Sequence, residues 1–567
     1  MINPRVQKRY LAIGNEERTV PPATLRALAE ALGAPEADPS PAPVTAHAPS
    51  ALDGAGLWGV AVQLYAVRSQ RNWGIGDLTD LAALVAWARG LGADYLGVNP
   101  LHALPFADPA RRSPYYPSSR LALNVLMIDP DAGAEAEGAA FGADVLALRD
   151  AARGGDLIDY DAVARAKHAA FEALFAAFEA TADEARREAF DAFRSDEAVR
   201  GHAVLEALAE AHGADVATWP DALRDPESAA VRRHADTPRA RFHAYLQWTA
   251  DTQLREAVAA GGGETTLYLD LAVGAAADGS EAWAGGDLFA RGMRLGAPPD
   301  PMAMAGQDWG LPPMNPNALV RADFAPLRAM LSASMRYAGA LRIDHVLGFD
   351  RQFWIPQDAT AAEGGYVSFP RAGMIAAAAD ASRAHECLVI GEDLGTVPEG
   401  LTEALHDANI LSYEVARWAR DEDGAFLTGA DYPRLCLAVA STHDVAPIAG
   451  WLTGRDLRDR AAAEDRAISD EERAARSEER EGLLTLWGVT DEAPPETVVL
   501  AAHRFLAASN AGVVMAALED VLLQEAQVNM PGTTDEYPNW RIRYARTLED
   551  WTQDEGVAAL AKAAARG

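Results

Sequence analysis

Apolar residues recur along this chain in two alternating rhythms. Short, nearly unbroken apolar runs of strand length are followed by stretches whose apolar residues fall three and four apart. The runs are LWGVAVQLYAV from Leu57, DYLGVNPL from Asp94, TLYLDLAVGA from Thr266, GALRIDHV from Gly339, CLVIGEDL from Cys387, LSYEVARW from Leu411, LCLAVAST from Leu435 and VVMAALEDVLL from Val513. Segments between them, such as LTDLAALVAWARGLGA and LTEALHDA, carry the helix period. Strands buried on both faces and alternating with helices make parallel βα units. Eight such units predict an α/β protein, a (β/α)8 TIM barrel. An open doubly wound sheet is the alternative, but no Gly-rich phosphate loop follows any run.

The remaining segments divide the chain further. Residues 1–34 read as a short helical N-terminal unit, with Pro at the entry and Gly33 at the exit of PPATLRALAEALGA. Residues 35–50 are rich in Pro, Ala and Ser and read as an extended linker. Residues 51–567 then form the barrel domain, interrupted by Ala/Glu/Arg-rich helical insertions at about 135–260 and 455–485. The charge runs in those insertions are most simply solvated helix faces.

Composition narrows the function classes. With 83 acidic against 50 basic residues the formal net charge is −33, which repels nucleic acid and anionic lipid. The two cysteines, Cys387 and Cys436, lie in apolar runs, so no disulfide framework is expected. The N-terminal residues lack the apolar stretch of a signal peptide, and no run of about 18 apolar residues occurs. A cytoplasmic protein with no nucleic-acid or membrane partner is the expectation.

Three carboxylates stand just beyond apolar runs: Asp344 after ALRI, Glu392 after CLVIG and Asp444 after LAVASTH. Strand ends in a barrel converge on one face, where active sites are built. Carboxylates facing one another across a pocket suit glycosidic bond exchange, in which one attacks the anomeric carbon and another protonates the leaving oxygen. The retaining form of that chemistry wants a separation of about 5–5.5 Å. Each carboxylate taken alone is equally compatible with capping a helix or joining a surface ion pair. Neither HExxH nor a Cys/His ligand spacing is present, so no metal site is expected.

The sequence around these residues resembles glycoside hydrolase family 77, the amylomaltases of the α-amylase clan. The matching segments are QLYAVRSQRNWGIGDLTDL, NPLHALP, SPYYPSSR, GAPPDPMAMAGQDWGLPP, ALRIDHVLGFDRQFWIP, VIGEDLGTVP, STHD and NMPGTTDEYPNWR, in the family's order. STHDVAP lacks the THDNDT continuation of other branches, which is similar to the bacterial maltodextrin-utilisation type. The resemblance implies a 4-α-glucanotransferase that passes α-1,4-glucan segments between maltodextrins, or to glucose, through a covalent glucosyl-aspartate and without a cofactor.

By the same resemblance Asp344 is the nucleophile, Glu392 the general acid/base and Asp444 the third carboxylate, gripping hydroxyls of the distorted donor sugar. Arg342 would keep Asp344 ionised, and His345 and His443 would bond sugar hydroxyls. Tyr115 would lie beside the nucleophile or stack on a sugar. Gln307, Asp308 and Trp309 would form a loop over the acceptor side. Asp278 matches an acidic position of some members. Tyr116 departs from the family's usual Ser, and Asn529, Pro531, Gly532 and Trp540 belong to the last motif. A hydrolase on the same barrel and a non-catalytic maltodextrin binder are the competing readings.

Overall fold

The computed structural model describes residues 3–11, 17–139, 141–299 and 304–566. Residues 300–303 of the segment GAPPDPMAMAGQDWGLPP therefore lie outside the described residues. Eight parallel strands form the centre: β1 (Leu57–Val62), β2 (Tyr95–Val98), β3 (Thr266–Leu271), β4 (Ala338–Ile343), β5 (Leu388–Gly391), β6 (Ser412–Val415), β7 (Cys436–Val439) and β8 (Val513–Ala517). Seven fall within an apolar run singled out by sequence, and β4 begins one residue before its run, at Ala338. They pair in the order β5-β4-β3-β2-β1-β8-β7-β6. The ring closes between β5 and β6 through the parallel bridge Ile390↔Leu411, with Gly391 N–H donating to the Leu411 carbonyl at 2.7 Å. The fold is a (β/α)8 barrel.

Near-continuous burial along the strands follows from having side chains inside the ring on one face and helices on the other. Tyr95, Tyr268, Tyr413, Leu437 and Met515 belong to the inner cluster. They fill it so tightly that a Cβ on Gly59 would come within 2.7 Å of the Met515 sulfur. Both cysteines are buried and unpaired.

The first insertion, between β2 and β3, is built on helices Tyr160–Thr181, Glu184–Arg194, Glu197–His212 and Pro238–Ala259. The second, between β7 and β8, contains Arg455–Ala463 and Asp470–Trp487, the latter opened by a Ser469/Glu472 capping box. A four-stranded antiparallel sheet sits beside the barrel, in the order Gly365–Ser368, Arg351–Pro356, Met293–Ala297, Gln307–Asp308.

The N-terminal segment is more than helical. Besides helix Pro22–Leu32 it has two short strands, Arg9–Leu11 and Glu17–Thr19, paired antiparallel. Strands of three residues show no readable period, which is why the pattern predicted only the helix. This segment docks on the antiparallel sheet: Val6 bridges Val367, and Tyr10 meets Phe353 and Tyr366 edge-on. Arg5 donates to Asn317 at 2.7 Å and pairs with Asp38 at 2.5 Å. Among the described residues no helix is long and apolar enough to cross a membrane.

Candidate active site

The carboxylate cluster is assembled by strand register. Arg342 on β4 stands opposite Asp270 on β3 in the parallel ladder, so the two side chains enter the barrel together. Arg342 Nη1 holds both Asp270 oxygens, at 2.8 and 2.9 Å. Its Nη2 reaches Asp344 Oδ1 at 2.9 Å and lies 3.9 Å from Glu392 Oε2. One buried guanidinium therefore serves carboxylates from three neighbouring strand ends. Burial pushes the Asp344 carboxyl above its usual range, with Arg342 opposing and the Glu392 charge adding to the rise. Asp270 is raised mainly by burial too, again against Arg342.

Glu392 follows β5 directly and is clamped by two backbone donors. The His345 N–H reaches Oε2 at 2.8 Å and the Leu394 N–H reaches Oε1 at 2.9 Å. His345 makes this bond from a left-handed backbone, φ 50° and ψ 56°, a conformation costly for a residue with a Cβ. The turn after β4 is tied down further: Glu392 N–H donates to Ile343 O and Val346 N–H to Glu392 O. That strained turn keeps Asp344 and Glu392 in fixed relation.

Asp444 comes from the loop after β7. His443 Nε2 lies 3.2 Å from its Oδ2, and Asn529 donates to its Oδ1 at 2.6 Å. Burial alone would raise Asp444, yet the His443 charge and these hydrogen bonds bring it below the usual carboxylate range. His443 is depressed by burial but lifted further by Asp444, so it ends above its ordinary value. Tyr115 links the two halves: its hydroxyl donates to Asp270 at 2.5 Å and lies 3.2 Å from His443 Nδ1, with the rings stacked at 4.7 Å. Trp540 packs against both rings.

These groups open into one cleft of about 680 Å³. Asp344, His345, Glu392, His443 and Asp444 line its floor together with Tyr115. Gln307, Trp309 and Tyr116 line one flank, and Arg112, Asn529, Pro531, Gly532 and Trp540 another. Trp309 meets His345 edge-on at 5.1 Å, while Gln307 accepts from its indole N–H at 3.1 Å. Asp308 turns away to Arg294. Asp278 does not line the cleft; it holds Arg111, which does, at 2.6 Å. Arg342 lies beneath the floor, touching the carboxylates rather than the open volume.

Two features were not singled out from sequence. Asp270 is a charge inside the apolar run TLYLDLAVGA, and its position in register with Arg342 is the signal that exposes it. Behind the cleft, Arg120 and Glu281 form a buried pair at 2.5 Å, and Arg120 also donates to the Ala272 and Val273 carbonyls just past β3. Among the described residues, no group of three His, Cys, Asp or Glu side chains is arranged to hold a metal ion.

Comparison with known proteins agrees with this architecture. Residues 62–548 match the glycoside hydrolase family 77 model, described as 4-alpha-glucanotransferase. A 4-alpha-glucanotransferase of Mycobacterium tuberculosis is 37% identical over 552 residues, covering 91% of this chain and 76% of its own length. One from Haemophilus influenzae is 35% identical, covering 89% and 78%. Among solved structures, the amylomaltase of Corynebacterium glutamicum superposes with a TM-score of 0.80 at 27% identity, over 91% of this chain and 76% of that one. An amylomaltase of Streptococcus agalactiae in complex with acarbose shares the fold, at TM-score 0.75 and 21% identity, over 90% and 99%.

Proposed function

The chain belongs to glycoside hydrolase family 77, a family of transferases acting on α-1,4-glucans, and from that premise we propose that it moves glucan segments between maltooligosaccharides by a retaining double displacement. In the first step an Asp344 oxygen attacks the anomeric carbon. The bond from that carbon to the bridging O4 breaks, and the departing O4 takes a proton from Glu392. The glucosyl group is left β-linked to Asp344. In the second step the 4-hydroxyl of an acceptor sugar gives its proton to Glu392 and attacks the same carbon, releasing Asp344. Two inversions restore the α configuration.

The observation that carries this reading is the shared guanidinium. Arg342 Nη2 stands 2.9 Å from Asp344 and 3.9 Å from Glu392, so the two carboxylates face the same small volume on the cleft floor. A site built only to bind sugar has no need of two carboxylates there. In this reading Asp444 and His443 grip hydroxyls of the donor sugar, which leaves the Gln307–Trp309 flank for the acceptor. Transfer then prevails over hydrolysis because a bound acceptor is already oriented and displaces water. Maltooligosaccharides and glucose are the expected substrates.

The test is a time course with maltotriose, products resolved by chromatography. Glucose with a ladder of longer oligosaccharides, and little growth in total reducing ends, is the expected result. Short products with rising reducing ends would make the protein a hydrolase. Glu392→Gln should lose about 10²–10⁴-fold in rate on maltotriose, the usual worth of a positioned acid. On α-glucosyl fluoride, whose leaving group needs no proton, formation of the glucosyl-enzyme should be largely spared. Equal losses on both donors would remove Glu392 from the acid role.

A further inference from the structure

Two loops of independent origin meet at one flank of the cleft. The first runs from β2 towards the first insertion and carries Tyr115 and Tyr116 side by side. Tyr115 turns down to Asp270 and His443, while Tyr116 turns outward into the cleft wall. The second loop carries Gln307, Trp309 and Gly310. The Tyr116 hydroxyl lies 3.5 Å from the Gly310 carbonyl, and its ring edge rests on that glycine, where a Cβ would fall 3.5 Å from the ring. Gly310 has φ +70°, so the position favours glycine conformationally as well.

Both loops are anchored away from this meeting point. Trp309 N–H donates to Leu295 O at 2.9 Å, and Asp308 accepts from Arg294 and from the Gly310 N–H. On the other side Tyr116 N–H donates to Ser113 O at 3.1 Å, and Ala276 N–H holds Pro117 O at 2.7 Å. Tyr116 and Trp309 are therefore two half-buried aromatic faces on a braced rim, next to the residues that would perform the transfer. A slot with aromatic walls suits the apolar face of a pyranose and excludes loosely held water.

We propose that Tyr116 adds a second aromatic wall to the acceptor flank that carries Trp309, and that Tyr116 is the residue that selects a sugar hydroxyl over water. The inference rests on the transferase reading above and adds the residue that sets its acceptor preference. The aromatic ring is the working part, because a 3.5 Å hydroxyl contact contributes little.

The test compares wild type, Tyr116→Ser and Tyr116→Phe on maltotriose with increasing glucose as acceptor, scoring transfer products and net reducing ends separately. Loss of one aromatic contact is expected to raise the acceptor KM by up to about tenfold. The hydrolysed fraction should rise with it, and donor turnover should change less than either. Tyr116→Phe should recover most of the acceptor preference. If Tyr116→Ser matches wild type in acceptor KM and hydrolysed fraction, the slot assignment is overturned. It is overturned equally if Tyr116→Phe is as impaired as Tyr116→Ser, since the ring would then not be the determinant. A wild-type protein that hydrolyses maltotriose without transfer would instead overturn the transferase reading itself.

Discussion

Arg342 is the residue on which the charges of the floor depend. It separates Asp270, Asp344 and Glu392, and Asp344 already sits above the usual carboxylate range because burial outweighs the cation. Removing the cation can only push that carboxyl higher, since the charged form loses its partner. For Arg342→Gln the acidic limb of the kcat/KM–pH profile should therefore move to higher pH, while Arg342→Lys should move it less. An unmoved acidic limb in the glutamine variant would mean that Asp344 does not govern that limb. How much of this was readable beforehand differs residue by residue. Asp344, Glu392 and Asp444 stand at strand ends, where sequence position and barrel geometry coincide. Asp270 was hidden because one polar residue within an apolar run gives no hint of its partner, which arrives through a neighbouring strand. Asp278 was placed by motif alone, and its contact with Arg111 depends on how two loops fold back, which no local pattern encodes.

At the scale of elements, the buried Arg120–Glu281 pair ties the strand Ser119–Leu123 to the short helix Ser280–Gly285 and to the chain leaving β3. Breaking a buried pair from one side strands a charge, at a cost of about 3–5 kcal/mol. Glu281→Gln should accordingly lower the unfolding free energy by an amount near the bottom of that range, read as a lower urea midpoint with the m-value unchanged. The double variant Arg120→Met/Glu281→Leu should be less destabilised than Arg120→Met combined additively with Glu281→Leu. Purely additive losses would show that the pair is not coupled. The barrel strands are legible in the sequence because burial on both faces makes each an apolar run. The antiparallel sheet is not, because Gln307–Asp308 is two residues long and its partners Met293–Ala297 and Arg351–Pro356 come from distant segments. That sheet nevertheless supports Trp309, so a flank of the cleft rests on the least readable part of the fold.

The whole molecule carries a formal charge of −33, and such self-repulsion works against a compact state. Salt shortens the reach of that repulsion to about 10 Å at 0.1 M. Thermal midpoints should climb as NaCl is raised from a few millimolar, while KM for uncharged maltooligosaccharides stays put, there being no charged substrate to steer. A midpoint indifferent to salt would show that this self-repulsion contributes little to the stability of the fold. The ring itself is fastened unequally. Between β5 and β6 the described backbone pairing amounts to one bridge, Ile390↔Leu411, flanked by the Gly391 and Leu411 amides, and Glu392 begins immediately above it. Every other joint is a ladder of paired residues. Deuterium should therefore enter the barrel backbone first at this stitch. Because the stitch lies under Glu392 on the cleft floor, a sugar lodged in the cleft should slow exchange at Leu411 before it slows it anywhere else in the ring.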